Sequence, residues 1–220
     1  MKKRVNVLYF PGTNCQRETL RAFEAVGGAA RLVFASDVLA GRDRMDDADV
    51  LCIPGGFCYG DHVRAGLIAG AMLSLGVRDQ LDACRRRPIL CICNGFQIGV
   101  RTGLFGDGLT LTINERGTFF HQPFQRHVVP QDHGTPWLKG MEGATLRFPC
   151  AHGEGNLVFT HRDGWRPALR YPEGENPDGS MENIAGITTP DGLVFGLMNH
   201  PERAQHRPEN LEIFRNGLHW

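Results

Sequence analysis

The sequence predicts a single α/β domain over residues 1–220, with a mostly parallel sheet, helices on both faces and extra β structure in the C-terminal half. Three observations predict it. Short apolar runs at 5–10, 30–34, 50–53 and 89–92 have the length and texture of strands buried on both faces. Segments with helical spacing of apolar residues separate these runs, so strand and helix alternate. Beyond about residue 108 the helical spacing gives way to strand-like runs joined by loops.

Residues 5–10 form the first strand, and Pro11-Gly12-Thr13-Asn14 turns the chain. Residues 16–26 set Leu20, Phe23, Ala25 and Val26 near helical spacing, and Gly27-Gly28 stops that helix. After the strand at 30–34, Ser36 or Asp37 can cap a short helix. The strand at 50–53 ends at Pro54-Gly55-Gly56. Residues 61–84 read as largely helical with a break near Gly76, 89–92 as the fourth strand, and 96–102 as the helix after it. Further strands are expected at 109–113, 119–129, 145–148, 157–160, 184–187 and 194–197. Residues 172–180, rich in Gly, Pro and charge, predict an exposed loop. Residues 208–217 predict a terminal helix, with Pro near its start and Gly near its end. Right-handed crossovers would bring the loops after 53 and 92 to one carboxyl edge of the sheet, where open α/β sheets bind ligands.

Composition narrows the function. Acidic and basic residues balance at 24 each, which gives no electrostatic case for nucleic acid or an anionic membrane. The basic run Arg85-Arg86-Arg87 follows a helical segment and suits its C-terminal dipole. At the N-terminus, charges precede an apolar run without the longer apolar region or the cleavage site of a signal peptide. No apolar stretch approaches the roughly 20 residues that span a bilayer. Seven scattered cysteines, an odd count, suggest no disulfide framework and fit a reducing cytoplasm.

The chemistry gathers at Pro88-Ile89-Leu90-Cys91-Ile92-Cys93-Asn94-Gly95-Phe96-Gln97. An apolar strand breaks at Cys93 and a helix follows, as in a nucleophile elbow. A helix N-terminus carries partial positive charge, so the position is expected to favour thiolate. A cysteine at the end of a buried strand is more often a small hydrophobe, but Gly95 and the distant pair His200-Pro201-Glu202 weigh toward catalysis. His200 and Glu202 point the same way if locally extended, as a base oriented by a carboxylate requires. His152-Gly153-Glu154 repeats the spacing. Gly55-Gly56 allows close backbone approach and an N–H for an oxyanion. The chain has no Gly-x-Gly-x-x-Gly, Walker-type or Cys-x-x-Cys pattern, and Cys91-x-Cys93 lacks paired metal-ligand spacing, so no metal site is expected.

Cys93-Asn94-Gly95-Phe96-Gln97 with His200-Pro201-Glu202 resembles the class I, triad-type glutamine amidotransferases, whose sheet is flavodoxin-like. Phe10-Pro11-Gly12-Thr13-Asn14-Cys15, Gly55 to Asp61, Ala151 to Gly155, Asn176 to Ser180 and Asn183 to Ile187 make the chain most similar to the glutaminase subunits of phosphoribosylformylglycinamidine synthases, from about residue 5 to 215. The resemblance implies that Cys93 attacks the glutamine amide, His200 moves protons and Glu202 orients His200. It implies an oxyanion site at Gly56 and Asn94, beside Gly55, and a glutamine site shaped by Gln97. The ammonia would pass to a synthetase subunit, with a small accessory subunit, in de novo purine synthesis. ATP and Mg would belong to that synthetase, and this chain would carry no cofactor. A stand-alone cysteine hydrolase of a related fold is the rival reading. The resemblance leads one to expect Gly at 91, Ser at 58 and Pro at 199, where the chain has Cys91, Cys58 and Asn199. Cys91 is expected to alter packing behind the elbow, and Asn199 to loosen the lead-in to His200.

Overall fold

Strands too short to be amphipathic are stable only when covered on both sides, and this rule organises the first half of the molecule. The computed structural model describes all residues 1–220. In chain order the first half is β1 (Arg4–Tyr9), α1 (Gln16–Ala25), β2 (Ala29–Phe34), α2 (Ala35–Leu39), β3 (Val50–Ile53), α3 (Leu67–Gly76), α4 (Arg78–Cys84), β4 (Ile89–Ile92) and α5 (Asn94–Arg101). The second half is β5 (Leu109–Thr112), β6 (Phe120–Val128), β7 (Thr145–His152), β8 (Asn156–Phe159), β9 (Arg166–Arg170), β10 (Ile184–Thr188), β11 (Val194–Leu197) and α6 (Pro208–Leu218).

One nine-stranded sheet carries both halves, in the order β2-β1-β3-β4-β11-β10-β9-β6-β7. The first five strands of that order are parallel; from β10 onward each pairing is antiparallel. The predicted fold class is borne out, with the extra β structure joined edge to edge onto the parallel core. The crossover from β1 to β2 runs one way along the sheet and that from β3 to β4 the other. Right-handedness therefore sets α1 and the α3–α4 pair on opposite faces. Helix packing agrees: α1 contacts α6, while α3 contacts α4 and α5. On α1, buried Thr19, Ala22 and Phe23 make the inward stripe, and Phe23 meets Phe214 of α6 edge-on at 5.0 Å. No helix is long and apolar enough to cross a membrane.

Several expectations need correction. The short helix after β2 starts at Ala35, and neither Ser36 nor Asp37 caps it. Residues 61–66 are not helical, because Asp61, Val63 and Gly66 have φ of 50, 71 and 72°. The break near Gly76 is real: it separates α3 from α4. The runs at 109–113 and 157–160 pair with each other as a separate two-stranded ribbon, β5–β8. Strand β7 continues to His152, and β9 had no sequence forecast. Within 172–180, expected to be exposed, Pro177, Asp178 and Ser180 are buried. The reason is a long-range partner: the Tyr171 hydroxyl donates to Asp178 Oδ2 at 2.5 Å. Arg85 and Arg87 do follow α4, but they donate to loop carbonyls, Arg85 to Gly103 O and Arg87 to Asp46 O.

Candidate active site

The parallel order fixes where the chemistry falls. β4 and β11 are neighbours in register, Ile92 opposite Leu197, so the residues just beyond both strand ends share one edge. The Cys93 N–H donates to Leu197 O at 2.8 Å. Cys93 then caps α5, its carbonyl accepting from the Phe96 and Gln97 N–H groups at 2.9 and 3.1 Å. Its backbone sits at φ 52°, ψ −112°, a strained place for a non-glycine residue, held by the strand before it and the helix after it. Gly95 follows from packing: a Cβ there would lie 1.8 Å from Ile53 O. The elbow read from the sequence is therefore present.

Beyond β11, the His200 N–H donates to Pro149 O of β7 at 2.9 Å. His200 and Glu202 are 1% and 0% exposed, and His200 Nδ1 lies 2.6 Å from Glu202 Oε1. A carboxylate accepts, so Nδ1 carries the proton and Nε2 is left as a base. Nε2 is buried with no partner. Gly55 is where the parts converge: a Cβ there would stand 2.8 Å from His200 Cε1 and 3.3 Å from Cys93 Cβ. Only glycine fits between nucleophile and base.

The Cys93 thiol in this structure is not bonded to His200. Its nearest acceptor is Ala151 O at 3.8 Å, so side-chain rotation must close the pair. Burial, together with Cys15 and Glu202, pushes the Cys93 thiol well above its ordinary range, against smaller downward pulls from Arg203 and the Asn94 N–H. In a site this enclosed, loss of hydration opposes the pull that the helix terminus exerts toward thiolate. Cys93 rests as a thiol and needs a base to take its proton.

A cavity of about 230 Å³ opens onto Cys93 between Gly56, Gln97, His152 and Glu154, with Phe57 and Phe119 at its mouth. A larger hollow of about 650 Å³ lies beside Arg4, Asn6, Arg31 and Asp47, at the amino ends of β1 and β2. It is lined by no cysteine, serine or histidine, and the chemistry places the site in the smaller one. The Gly56 N–H makes no backbone bond, while the carbonyl of the same peptide, Gly55 O, accepts from the Cys15 N–H at 3.2 Å. The close approach of Thr13 is what demands glycine at 56, since a Cβ would come within 2.6 Å of Thr13 Cα. The Asn94 side chain knots the pocket floor. It accepts from the Cys58 N–H at 3.1 Å and donates to Asp61 and Gln97 at 2.9 and 2.8 Å. Gln97 Nε2 in turn donates to Glu154 O at 2.8 Å.

All seven sequence-predicted residues, Cys93, His200, Glu202, Gly55, Gly56, Asn94 and Gln97, thus gather at this edge. Sequence reasoning passed over Asp61 and Glu154, two carboxylates lining the pocket, although both lie in the glycine-containing segments singled out. It also missed Cys15, whose Sγ is 3.9 Å from His200 Nδ1. Cys15, His200 and Glu202 present donor atoms within 4.8 Å of one another. A cation already stands there, because an Arg203 nitrogen lies 2.9 Å from Cys15 Sγ, and Nδ1 is committed to Glu202. That arrangement disfavours a resident metal.

The departures resolve individually. Cys91 is fully buried, with its sulfur over Gly99 of α5. Cys58 Sγ meets Thr13 Oγ1 at 3.4 Å. Asn199 does the reverse of loosening: its carboxamide bonds two buried histidines, His127 at 2.6 Å and His152 at 3.2 Å.

A doubly wound sheet with cysteine, histidine and glutamate at its carboxyl edge is the arrangement of a triad-type amidotransferase domain. The chain belongs to the family described as the CobB/CobQ-like glutamine amidotransferase domain, which matches residues 2–219. It is 37% identical to the phosphoribosylformylglycinamidine synthase subunit PurQ of Pyrococcus furiosus, over 97% of this chain and 96% of that one. It is 40% identical to PurQ of Pyrobaculum aerophilum, over 91% and 88%. A solved structure of PurLQS from Thermotoga maritima superimposes with a TM-score of 0.85 at 33% identity, covering 100% and 99% of the two chains.

Proposed function

We propose that the chain is the glutaminase subunit of a phosphoribosylformylglycinamidine synthase, releasing ammonia from glutamine for a synthetase partner. The observation that carries this reading is the His200–Glu202 pair, with Nε2 free beside a cysteine on a strained strand-to-helix turn. His200 Nε2 takes the Cys93 proton as the sulfur attacks the side-chain amide carbon of glutamine. The oxygen becomes an oxyanion within reach of the Gly56 and Asn94 N–H groups. His200 then protonates the leaving nitrogen, the C–N bond breaks, and ammonia departs, leaving a glutamyl thioester. Water attacks the thioester, His200 accepts its proton, and glutamate and the Cys93 thiol are released. Glu202 holds the Nδ1–H tautomer and offsets the charge of the imidazolium.

ATP and Mg²⁺ chemistry belongs to the synthetase in this reading, a small accessory subunit completes the assembly, and the chain works in the cytoplasm. The test is ammonia release from glutamine by the reconstituted complex, with Cys93 labelled by a glutamine-mimicking electrophile. A complex that amidates its substrate from free ammonia yet never from glutamine would overturn the reading.

A further inference from the structure

The mechanism leaves one buried cluster unused. His127, His152 and Asn199 are 0, 2 and 1% exposed, and they form a chain of side chains directly behind the pocket. His152 Nε2 faces three groups: Asn199 Oδ1 at 3.2 Å, Cys150 Sγ at 3.2 Å and Asp178 Oδ1 at 3.4 Å. The Asn199 carboxamide turns its oxygen to His152 and its nitrogen to His127, and an amide oxygen only accepts, so His152 carries its proton on Nε2. An amide nitrogen only donates, so His127 accepts on Nε2 and holds its own proton on Nδ1. One asparagine therefore sets the tautomers of two histidines.

Both rings stay uncharged. Burial pushes His127 down to about 3. It also lowers His152, where Asp178 pulls upward and His200 downward. The cluster bears on the site in two ways. His152 lines the cavity that holds Cys93. Asn199 immediately precedes His200, whose N–H is tied to Pro149 on β7, the strand that ends at His152. The lead-in to the base is thus fastened to the pocket wall twice, once through backbone and once through the carboxamide.

We infer that Asn199, backed by His127, is a positioning residue for the reaction: it holds the pocket wall at His152 in register with the lead-in to His200. This rests on the glutaminase reading. An ordinary buried asparagine would contribute to stability alone, and the two roles separate in kinetics.

The experiment uses the assembled complex with wild-type subunit as control. Asn199→Leu keeps the branched shape and removes both bonds. It is expected to raise the glutamine KM at least tenfold with a smaller change in kcat, leaving ammonia-dependent synthesis intact. Asn199→Asp sets an acceptor against both rings and should add an ionisation to the pH profile of kcat/KM, as a histidine takes up a proton. His127→Phe can keep the packing on Phe148 and Tyr171, whose rings lie 4.7 and 5.3 Å away, and should give a weaker KM defect. His127→Gln, which still offers an acceptor, should restore most of it. Should the leucine variant fail to assemble, the aspartate and His127 variants decide the question. Variants that lower only the melting temperature, with KM and pH profile unchanged, overturn the inference while the glutaminase reading stands. A wild-type complex inert toward glutamine removes the reading itself.

Discussion

Two cysteines stand at helix N-caps on the same edge of the sheet, Cys15 before α1 and Cys93 before α5. Both are buried and both lie close to His200. They differ in backbone, partner and access. Cys15 has an ordinary φ of −98°, while Cys93 is strained at 52°. Cys15 faces the Nδ1 side of the imidazole, already taken by Glu202, and its sulfur contacts Arg203. Cys93 lines the cavity, and the other imidazole nitrogen of His200, Nε2, is bonded to nothing. Proximity to a histidine does not define a nucleophile; access to an open pocket and a base nitrogen left uncommitted do. What Cys15 offers is its N–H, which holds the Gly55–Gly56 peptide in place.

The comparison makes its largest prediction by substitution. Cys93→Ala should cut glutamine-dependent synthesis by at least about 10⁴-fold, as loss of a nucleophile does elsewhere, and spare ammonia-dependent synthesis. Cys15→Ala should cost less than about tenfold, equivalent to ~1.4 kcal/mol in barrier. Equal losses in steady-state assays would erase the distinction between the two turns.

Glu202→Gln comes next. It keeps the shape but offers His200 the wrong tautomer, with an expected loss of about 10³–10⁴-fold in glutaminase kcat. A loss confined to KM would mean that Glu202 does not orient the base.

A third, smaller effect concerns assembly. With Cys93 resting as a thiol bonded toward Ala151, the isolated chain should be a poor glutaminase. Joining the synthetase should raise kcat about 100- to 1,000-fold, the scale of one oxyanion donor. Equal kcat for free and assembled chain would show that the resting geometry is already competent.

The smallest effect is on stability. Burial raises Cys15 to about 12 from 9.0. The folded thiol therefore keeps its proton where the unfolded one loses it, and its stabilisation is full below pH 9 and lost as pH rises toward 12. Cys15→Ala should flatten the alkaline fall in unfolding free energy across that window. An unchanged slope in denaturant titrations from pH 9 upward would show that the thiol ionises as freely folded as unfolded.

Much of this was legible in the chain. The strands at 50–53, 89–92 and 194–197 were read to the residue, because buried parallel strands are continuous apolar runs that end in turn residues. The elbow and the His200–Glu202 pair were legible because each is local. The rest depends on partners distant in sequence. Strand β9 contains Pro167 between two arginines, and its pairing with β10 leaves no local pattern. Asp178 looked like loop and is buried by Tyr171 and His152. The enclosure of Cys93 by β7 and β11 was not legible, because a helix terminus shows in the sequence whereas distant strands do not. Asn199 was misjudged because its partners, His127 and His152, lie 72 and 47 residues away.

The pairing of β4 with β11 also governs when the site can exist. The strand that delivers Cys93 leaves the ribosome about 100 residues before the one that delivers His200, roughly 5–20 s at ordinary elongation rates. During that interval β4 is an open edge of a partly built sheet, exposed to mispairing. The nucleophile has no base until β11 inserts beside it. Final sheet closure and catalytic competence are therefore the same late event, and a nascent or truncated chain lacking the last strand cannot consume glutamine.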